Sequence, residues 1–132
     1  MGPVLQLGIR AGLLIVVIDL LTFGLLQAAP DDENLKTFAD TANIVANCVV
    51  LWMVAFHLGR ETRLVRAAAE AGVLAGAIAG VAGVLTLAVW PTALLGELTV
   101  VTAISHIAEN VVLAGVLSIV AGWLGKKAPA RQ

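Results

Sequence analysis

The chain has 132 residues, of which 60% are hydrophobic and only 13% charged, with a formal net charge of -1 at pH 7. Soluble domains carry roughly a quarter charged residues, so this composition excludes an ordinary soluble protein, and the single cysteine excludes a disulfide within the chain. The sequence contains no basic tract with interleaved aromatic residues, so nucleic acid is not an expected partner.

Four apolar segments dominate the chain. They cover approximately residues 11–29, 41–58, 68–90 and 98–124. A transmembrane helix needs about 20 apolar residues, and in lipid every backbone polar group has to be paired within the protein, which a helix achieves by itself. The sequence therefore predicts one domain over residues 1–132, an all-α integral membrane protein with four transmembrane helices and the lipid bilayer as its first partner.

The basic residues are distributed asymmetrically between the connections. All but one of the eight Lys and Arg residues lie near the amino end, in the 59–67 loop or in the tail, and the exception is Lys36. Because cytoplasmic loops are enriched in basic residues, we expect a multi-pass protein of the plasma (inner) membrane with both termini in the cytoplasm. We expect Arg60, Arg63 and Arg66 of this loop to contact anionic lipid headgroups.

Polar side chains interrupt the first and second segments. Asp19 lies within the first, and Asn43 and Asn47 form a stripe on one face of the second. A charged side chain inside a membrane costs about 2.5 kcal/mol or more and usually faces the protein interior or a wet cavity. Asp19 is therefore a candidate for a buried polar anchor between helices or for a proton-handling group.

Small residues follow one face of the third segment. Gly72, Gly76 and Gly80 recur every four residues, with alanines in the adjoining row. Because small side chains let two helices approach closely in a membrane, we predict a helix-packing interface here. The face suits contact within the bundle and contact with another subunit equally well.

The fourth segment begins with a second group of polar residues. Ser105, His106 and Glu109 share a helix face with Thr102, and Asn110 follows directly. We predict one polar intramembrane cluster, drawn from three helices: Asp19, Asn43, Asn47, Ser105, His106, Glu109 and Asn110. The cluster has two interpretations, which are interhelical hydrogen bonding and a small polar pocket.

The two halves of the chain resemble each other. The stretch NIVANCVVL of the second segment aligns with HIAENVVLA of the fourth, so that Asn47 corresponds to Asn110. We interpret residues 10–66 and 70–127 as tandem copies of one helical hairpin. Chance similarity between apolar segments is the competing explanation.

The pattern contains no complete catalytic or cofactor site. A haem held by two histidines is excluded because His57 and His106 lie at opposite ends of their helices, roughly 20 Å apart along the membrane normal. His106 and Glu109 have a spacing compatible with two metal ligands, but di-iron bundles need paired motifs and further glutamates. Ser105 and His106 are neighbours in a helix and therefore do not face each other as a catalytic pair. We predict no catalytic residues, no cofactor and no metal site.

The leading functional hypothesis is a non-catalytic accessory or structural subunit of a larger membrane complex, docked through the glycine face of the third helix. The expected partners are other membrane-protein subunits or a second copy of the chain. The alternative is a small proton- or ion-coupled transporter, or an oligomeric channel, that uses Asp19 and Glu109. The predicted cytoplasmic half of each segment is almost entirely apolar, which weakens this alternative. An enzyme acting on a lipid-soluble substrate is the third hypothesis.

Overall fold

The computed structural model describes residues 2–29, 31–89 and 99–129, and over these residues it consists of helices without strands. The helices are α1 (Pro3–Ala28), α2 (Glu33–Thr62), α3 (Val65–Val89) and α4 (Val100–Lys127). All four are long and apolar enough to cross a membrane, which confirms the predicted class of an all-α membrane protein. The predicted segment ends at Trp90 and Leu98 lie outside the described residues.

The helices extend beyond the apolar segments because proline and capping side chains favour helix starts outside those segments. Pro3 stands in the first turn of α1, where a missing backbone N–H costs nothing. The carboxylate of Asp32 caps α2 by accepting a hydrogen bond from the backbone N–H of Leu35 at 2.9 Å. Thr99 and Thr102 form a reciprocal capping box at the start of α4.

Arg63 ends α2 and connects it to the end of α4. Its backbone is left-handed, with φ of 58°, and only Arg63 and Leu64 separate α2 from α3. Its guanidinium Nη1 donates to the carbonyl oxygens of Lys126 at 2.5 Å and Ala128 at 2.8 Å. The side chain therefore binds carbonyl groups at the carboxyl end of α4, where a helix favours positive charge.

We expect the variant Arg63→Gly to loosen the last turn of α4. Glycine adopts the left-handed backbone easily, so the variant removes the guanidinium contacts without straining the turn. Hydrogen exchange of the amides in Leu124–Ala128 should become several-fold faster in the variant. Arg66→Gln is the matched control, because Arg66 pairs with Glu70 of its own helix at 2.7 Å. Unchanged exchange in Arg63→Gly would contradict this role.

The four helices form a bundle in which α1 and α4 occupy opposite corners. Each of these two helices packs against both α2 and α3, α2 also contacts α3, and the described parts of α1 and α4 do not touch. The carboxyl end of α1 and the amino end of α2 lie at one end of the bundle, which we call the loop end. The α2–α3 turn lies at the opposite end with the first residues of α1 and the last of α4, and we call it the terminus end.

Small side chains form the core and large apolar side chains cover the outside. Ala68, Ala75 and Ala121 are completely buried, whereas Leu21 and Leu113 are each 70% exposed. This distribution is the reverse of a soluble protein, since lipid solvates leucine as well as a protein interior does. The helices associate through close backbone approach, which small residues permit.

The glycine face of α3 packs against α4 of the same chain. A Cβ atom on Gly72 would overlap the side chain of Ser118, one on Gly76 would lie 2.5 Å from the carbonyl oxygen of Asn110, and one on Gly80 would contact the backbone of Ile107. Of the two kinds of contact that suit this face, the structure contains the one within the bundle.

A second glycine contact joins α2 and α4 near the terminus end. A Cβ on Gly59 would overlap the backbone carbonyl of Gly122, and a Cβ on Gly125 would overlap the carbonyl of Phe56. The sequence pattern did not predict these contacts, because these glycines do not recur with the four-residue spacing of the α3 face. Near them lies a core cluster of the buried side chains of Ala55, Leu58, Ala68, Ala71 and Ala121.

Candidate functional site

A cavity of about 330 Å³ lies between the helices in the loop half of the bundle. All four helices contribute to its wall. Its polar lining residues are Asp19, Asn43, Asn47, Thr86, His106 and Asn110, and its apolar ones are Val16, Leu20, Phe23, Ile44, Ala79, Ala82, Gly83 and Leu87. Asp19 is nine residues from the end of α1, so its carboxylate is roughly 14 Å along the helix from the loop end.

Two amides of α2 hold the carboxylate of Asp19. The Nδ2 groups of Asn43 and Asn47 both donate to Asp19 Oδ1, at 3.0 and 2.9 Å. Asn43 and Asn47 lie one helical turn apart on the same face of α2, which lets both reach one oxygen. These two hydrogen bonds join α1 to α2 through the side chain of Asp19.

Thr22 extends the network by one residue along α1. Its hydroxyl lies 3.0 Å from the carbonyl oxygen of Ile18 and 3.3 Å from Oδ1 of Asn43, and it can donate to either. The corresponding amide oxygen of Asn47 is buried and accepts no hydrogen bond from the described residues. A buried acceptor without a donor is unfavourable, so the site has one unused acceptor on α2.

His106 and Asn110 form the α4 part of the wall. The amide of Asn110 donates to the backbone carbonyl of His106 at 2.9 Å, and both side chains line the cavity. The ring of His106 lies directly on Gly83, where a Cβ would come within 2.5 Å of Nε2. The aligned positions Asn47 and Asn110 of the two halves thus line the same cavity.

Two residues of the predicted cluster lie elsewhere. Ser105 and Glu109 are exposed on the outside of α4 and do not line the cavity. Consecutive residues of a helix point about 100° apart, so when His106 and Asn110 face inward, the pair one position earlier faces outward. The prediction that both pairs belong to one intramembrane cluster is therefore wrong for Ser105 and Glu109, because the rotation of α4 against α3 separates the two pairs.

Two of the three arginines expected at lipid headgroups have partners within the chain. Arg63 binds the end of α4, and Arg66 forms its ion pair with Glu70. Both side chains are exposed at the terminus end, whereas Arg60 is half-buried there. Contact with headgroups therefore remains a prediction for all three.

The α3 wall of the cavity was missed by the sequence analysis. Ala79, Ala82, Gly83 and Thr86 follow the spacing of one helix face, and all four line the cavity. The hydroxyl of Thr86 donates to the carbonyl oxygen of Ala82 at 2.9 Å. That spacing could have predicted a second face of α3 that lines a site. The glycine face of the same helix has a more regular pattern and was the one used for the prediction.

The charges around the cavity are unbalanced. Asp19 contributes a carboxylate, and none of the lining residues is Lys or Arg. No group of three or more His, Cys, Asp or Glu residues is placed to hold a metal ion in the described part of the chain. The titratable groups of the cavity wall are the carboxyl group of Asp19 and the imidazole of His106.

We expect Gly83→Ala to displace the imidazole of His106 without unfolding the protein. The new Cβ would overlap Nε2, and the ring can move because it borders the cavity. The imidazole signals of ¹⁵N-histidine-labelled protein report this directly, because the chain has two histidines. The signal of His106 should shift, and that of His57, near the terminus end beside Glu61, should not. Equal shifts of both signals, or none, would contradict the placement of His106.

No protein-family model matches the chain, and the comparisons with curated proteins and with solved structures find no similar protein.

Proposed function

We propose that the protein is a small proton- or ion-coupled membrane transporter, and that Asp19 is the group that takes up the proton or cation. The observation that carries this proposal is the carboxyl group of Asp19 in a cavity between four membrane-length helices, held by two amides, with no Lys or Arg among the lining residues. Intramembrane carboxylates of this kind are typical of ion and proton pathways.

A purely structural role for the polar cluster accounts for fewer features of the site than the transporter proposal does. Interhelical hydrogen bonds in membranes contribute only about 0.6 kcal/mol on average, whereas a charged aspartate near the centre of a helix costs about 2.5 kcal/mol or more. A polar anchor would also be expected to pack without empty space. Here the carboxylate borders a cavity, and the amide oxygen of Asn47 has no donor among the described residues.

The terminus half of the bundle is closed. On the terminus side of the cavity, the core consists of apolar residues, mostly alanine, and of glycine contacts between α2 and α4. Ser118 is the one buried polar side chain of the described residues, and its hydroxyl lies against Gly72. Transport through one subunit therefore requires that these helix contacts open, as in alternating access.

The proposal includes the orientation of the bundle and the membrane in which it lies. The terminus end carries Arg60, Arg63, Arg66, Lys126 and Lys127. The preference of basic residues for the cytoplasmic side supports placing this end in the cytoplasm. The cavity then lies in the outer half of a plasma (inner) membrane, and the closed half faces the cell interior.

Proton flux into proteoliposomes tests the proposal. The full chain is reconstituted with a pH-sensitive dye inside the vesicles, and an acid step is applied outside. We expect acidification faster than in protein-free vesicles, with a rate that increases with the amount of reconstituted protein. Equal rates in both preparations, with counter-ion movement permitted by valinomycin and potassium, would overturn a proton-coupled mechanism.

A second function, that of an accessory membrane subunit, is favoured by one specific observation. Ser105 and Glu109 are exposed on the surface of α4 within a helix long enough to span the membrane. Polar groups at such positions usually contact protein, so we propose this surface, in place of the buried glycine face, as the docking site of a partner subunit.

Native mass spectrometry after mild detergent extraction from the source membrane tests this second function. A stoichiometric heteromer that is lost in Glu109→Gln would support it. The same variant should then retain its helical content and the mass of an intact bundle. A homo-oligomer or monomer in both preparations would leave the docking proposal without a partner and overturn it.

A further inference from the structure

We propose that the cavity binds a small organic cation, a protonated amine that carries an apolar group, with its ammonium on Asp19 and its apolar part among the aliphatic side chains. This inference rests on the proposed function and names its substrate class. It follows from three properties of the site, which are its charge, its free acceptors and its apolar volume.

The composition of the cavity wall favours a cation. Asp19 Oδ1 accepts two amide hydrogen bonds. The lining residues contain no Lys or Arg. Bringing a positive charge next to a carboxylate that is already partly desolvated gains more than the same pairing would gain in water. An anionic or neutral ligand would lack this gain.

The free acceptors fit an ammonium group. Asn43 and Asn47 occupy Oδ1 of Asp19 and leave Oδ2 without a hydrogen bond from the described residues. The amide oxygen of Asn47 is a second acceptor without a partner. An alkylammonium group has three N–H donors, so it can satisfy both oxygens and retain one donor for His106 or water.

The size and lining of the cavity fit an organic cation better than a bare metal ion. Its volume of about 330 Å³ falls at the lower end of small-molecule pockets, which cover roughly 300–1,000 Å³. Val16, Leu20, Phe23, Ile44 and Leu87 provide an apolar surface beside the carboxylate. A bare ion would leave that surface and most of the volume unused.

The cavity also reaches the surface of the bundle. Leu20 and Ile44, which line it, are 47% and 64% exposed. An amphiphilic amine that partitions into lipid can approach from this side without passing through water. Proton and ammonium compete for one carboxylate, so an ammonium that binds to a protonated Asp19 has to displace its proton.

Equilibrium binding to the detergent-solubilised full chain tests the proposal, with benzylamine as the probe and benzyl alcohol as its uncharged analogue. We expect benzylamine to bind the wild type at least about tenfold more tightly than benzyl alcohol, because the charged hydrogen bonds to Asp19 are absent from the alcohol. Equal affinity for the two compounds, or no benzylamine binding, would overturn the proposal. This comparison uses the wild type alone and does not depend on the folding of a variant.

Variants identify the residue responsible. Asp19→Asn should reduce benzylamine affinity at least about tenfold, and Asn47→Ala should reduce it less. Glu70→Gln is the matched control, since Glu70 is exposed on α3 and pairs with Arg66. Retention of affinity in a folded Asp19→Asn protein would overturn the proposal. So would displacement of benzylamine by sodium chloride at equal concentrations, because the site would then select a bare ion.

The flux assay separates this inference from the proposed function. Asp19-dependent proton flux that benzylamine neither drives nor inhibits would leave the transporter intact and overturn the amine site. Asp19-dependent benzylamine binding without any flux would support the amine site and overturn the transporter.

Discussion

Asp19→Asn is expected to reduce proton flux in proteoliposomes to the rate of protein-free vesicles. Asparagine has nearly the same shape as aspartate and retains one oxygen for the amides of Asn43 and Asn47. It carries no charge and has no group that ionises at neutral pH. Removing the single ionisable acid of the cavity wall therefore removes coupling while preserving the contacts between α1 and α2.

Two further variants make the result of Asp19→Asn specific. Asp19→Glu keeps an exchangeable carboxyl, and we expect it to retain measurable flux. Glu70→Gln removes an exposed carboxylate from α3 and should behave as the wild type. Circular dichroism and size-exclusion chromatography check that all three proteins are folded. Flux at the wild-type rate in folded Asp19→Asn would show that Asp19 is not the coupling group.

Gly59→Leu is expected to prevent α2 and α4 from packing in the terminus half. A single Cβ at this position already overlaps the backbone of Gly122, and backbone cannot move aside as a flexible side chain can. Overpacking a core costs about 1–3 kcal/mol or more, so Gly59→Ala should lower stability measurably and Gly59→Leu should lower it further. Unfolding by sodium dodecyl sulfate in mixed micelles measures both losses.

Gly24→Leu and Gly24→Ala are the matched controls for these substitutions. Gly24 lies in α1, and a Cβ built there meets nothing within 4 Å. Replacing a helical glycine by alanine without a clash stabilises a helix by about 0.5–1 kcal/mol. We therefore expect Gly24→Ala to be neutral or stabilising. If Gly59→Ala and Gly24→Ala gave the same unfolding midpoint, the close approach of α2 and α4 would be contradicted.

The fold could be predicted from the sequence because each helix is defined by local properties. Length and hydropathy give four membrane spans, and caps such as Asp32 and Thr99 begin the helices that follow. The packing partners of a helix depend on long-range geometry. The regular spacing of Gly72, Gly76 and Gly80 was visible, whereas Gly59 is an isolated glycine whose importance arises only from its contact with Gly122.

The candidate site could be predicted in part for the same reason. Asp19, Asn43 and Asn47 are rare polar residues in apolar helices, and the structure brings all three together. On α4 the polar residues cover adjacent strips of the helix surface, so the sequence leaves open which strip faces inward. The contact of His106 with Gly83 settles that rotation and places Glu109 outside.

The two halves of the bundle suit different tasks in a transporter. The terminus half is held by backbone contacts at Gly59, Gly122 and Gly125, and by the guanidinium of Arg63 on the end of α4. The loop half contains the cavity, where the helices are separated and the polar residues lie. In the proposed mechanism and orientation, exposing Asp19 to the cell interior requires the contacts of the terminus half to break, so that half would be the gate.

Isotope-edited infrared spectroscopy of the protein in lipid bilayers tests the central claim most directly, because it observes the protonation of Asp19 itself. Protein labelled with ¹³C-aspartate is titrated over the pH range in which flux is measured, alongside Asp19→Asn. We predict a carboxyl band in the wild type that changes reversibly with pH and is missing from the variant. A pH-dependent spectrum that is identical in both proteins would contradict proton exchange at Asp19. It would favour interhelical hydrogen bonding as the role of the polar cluster.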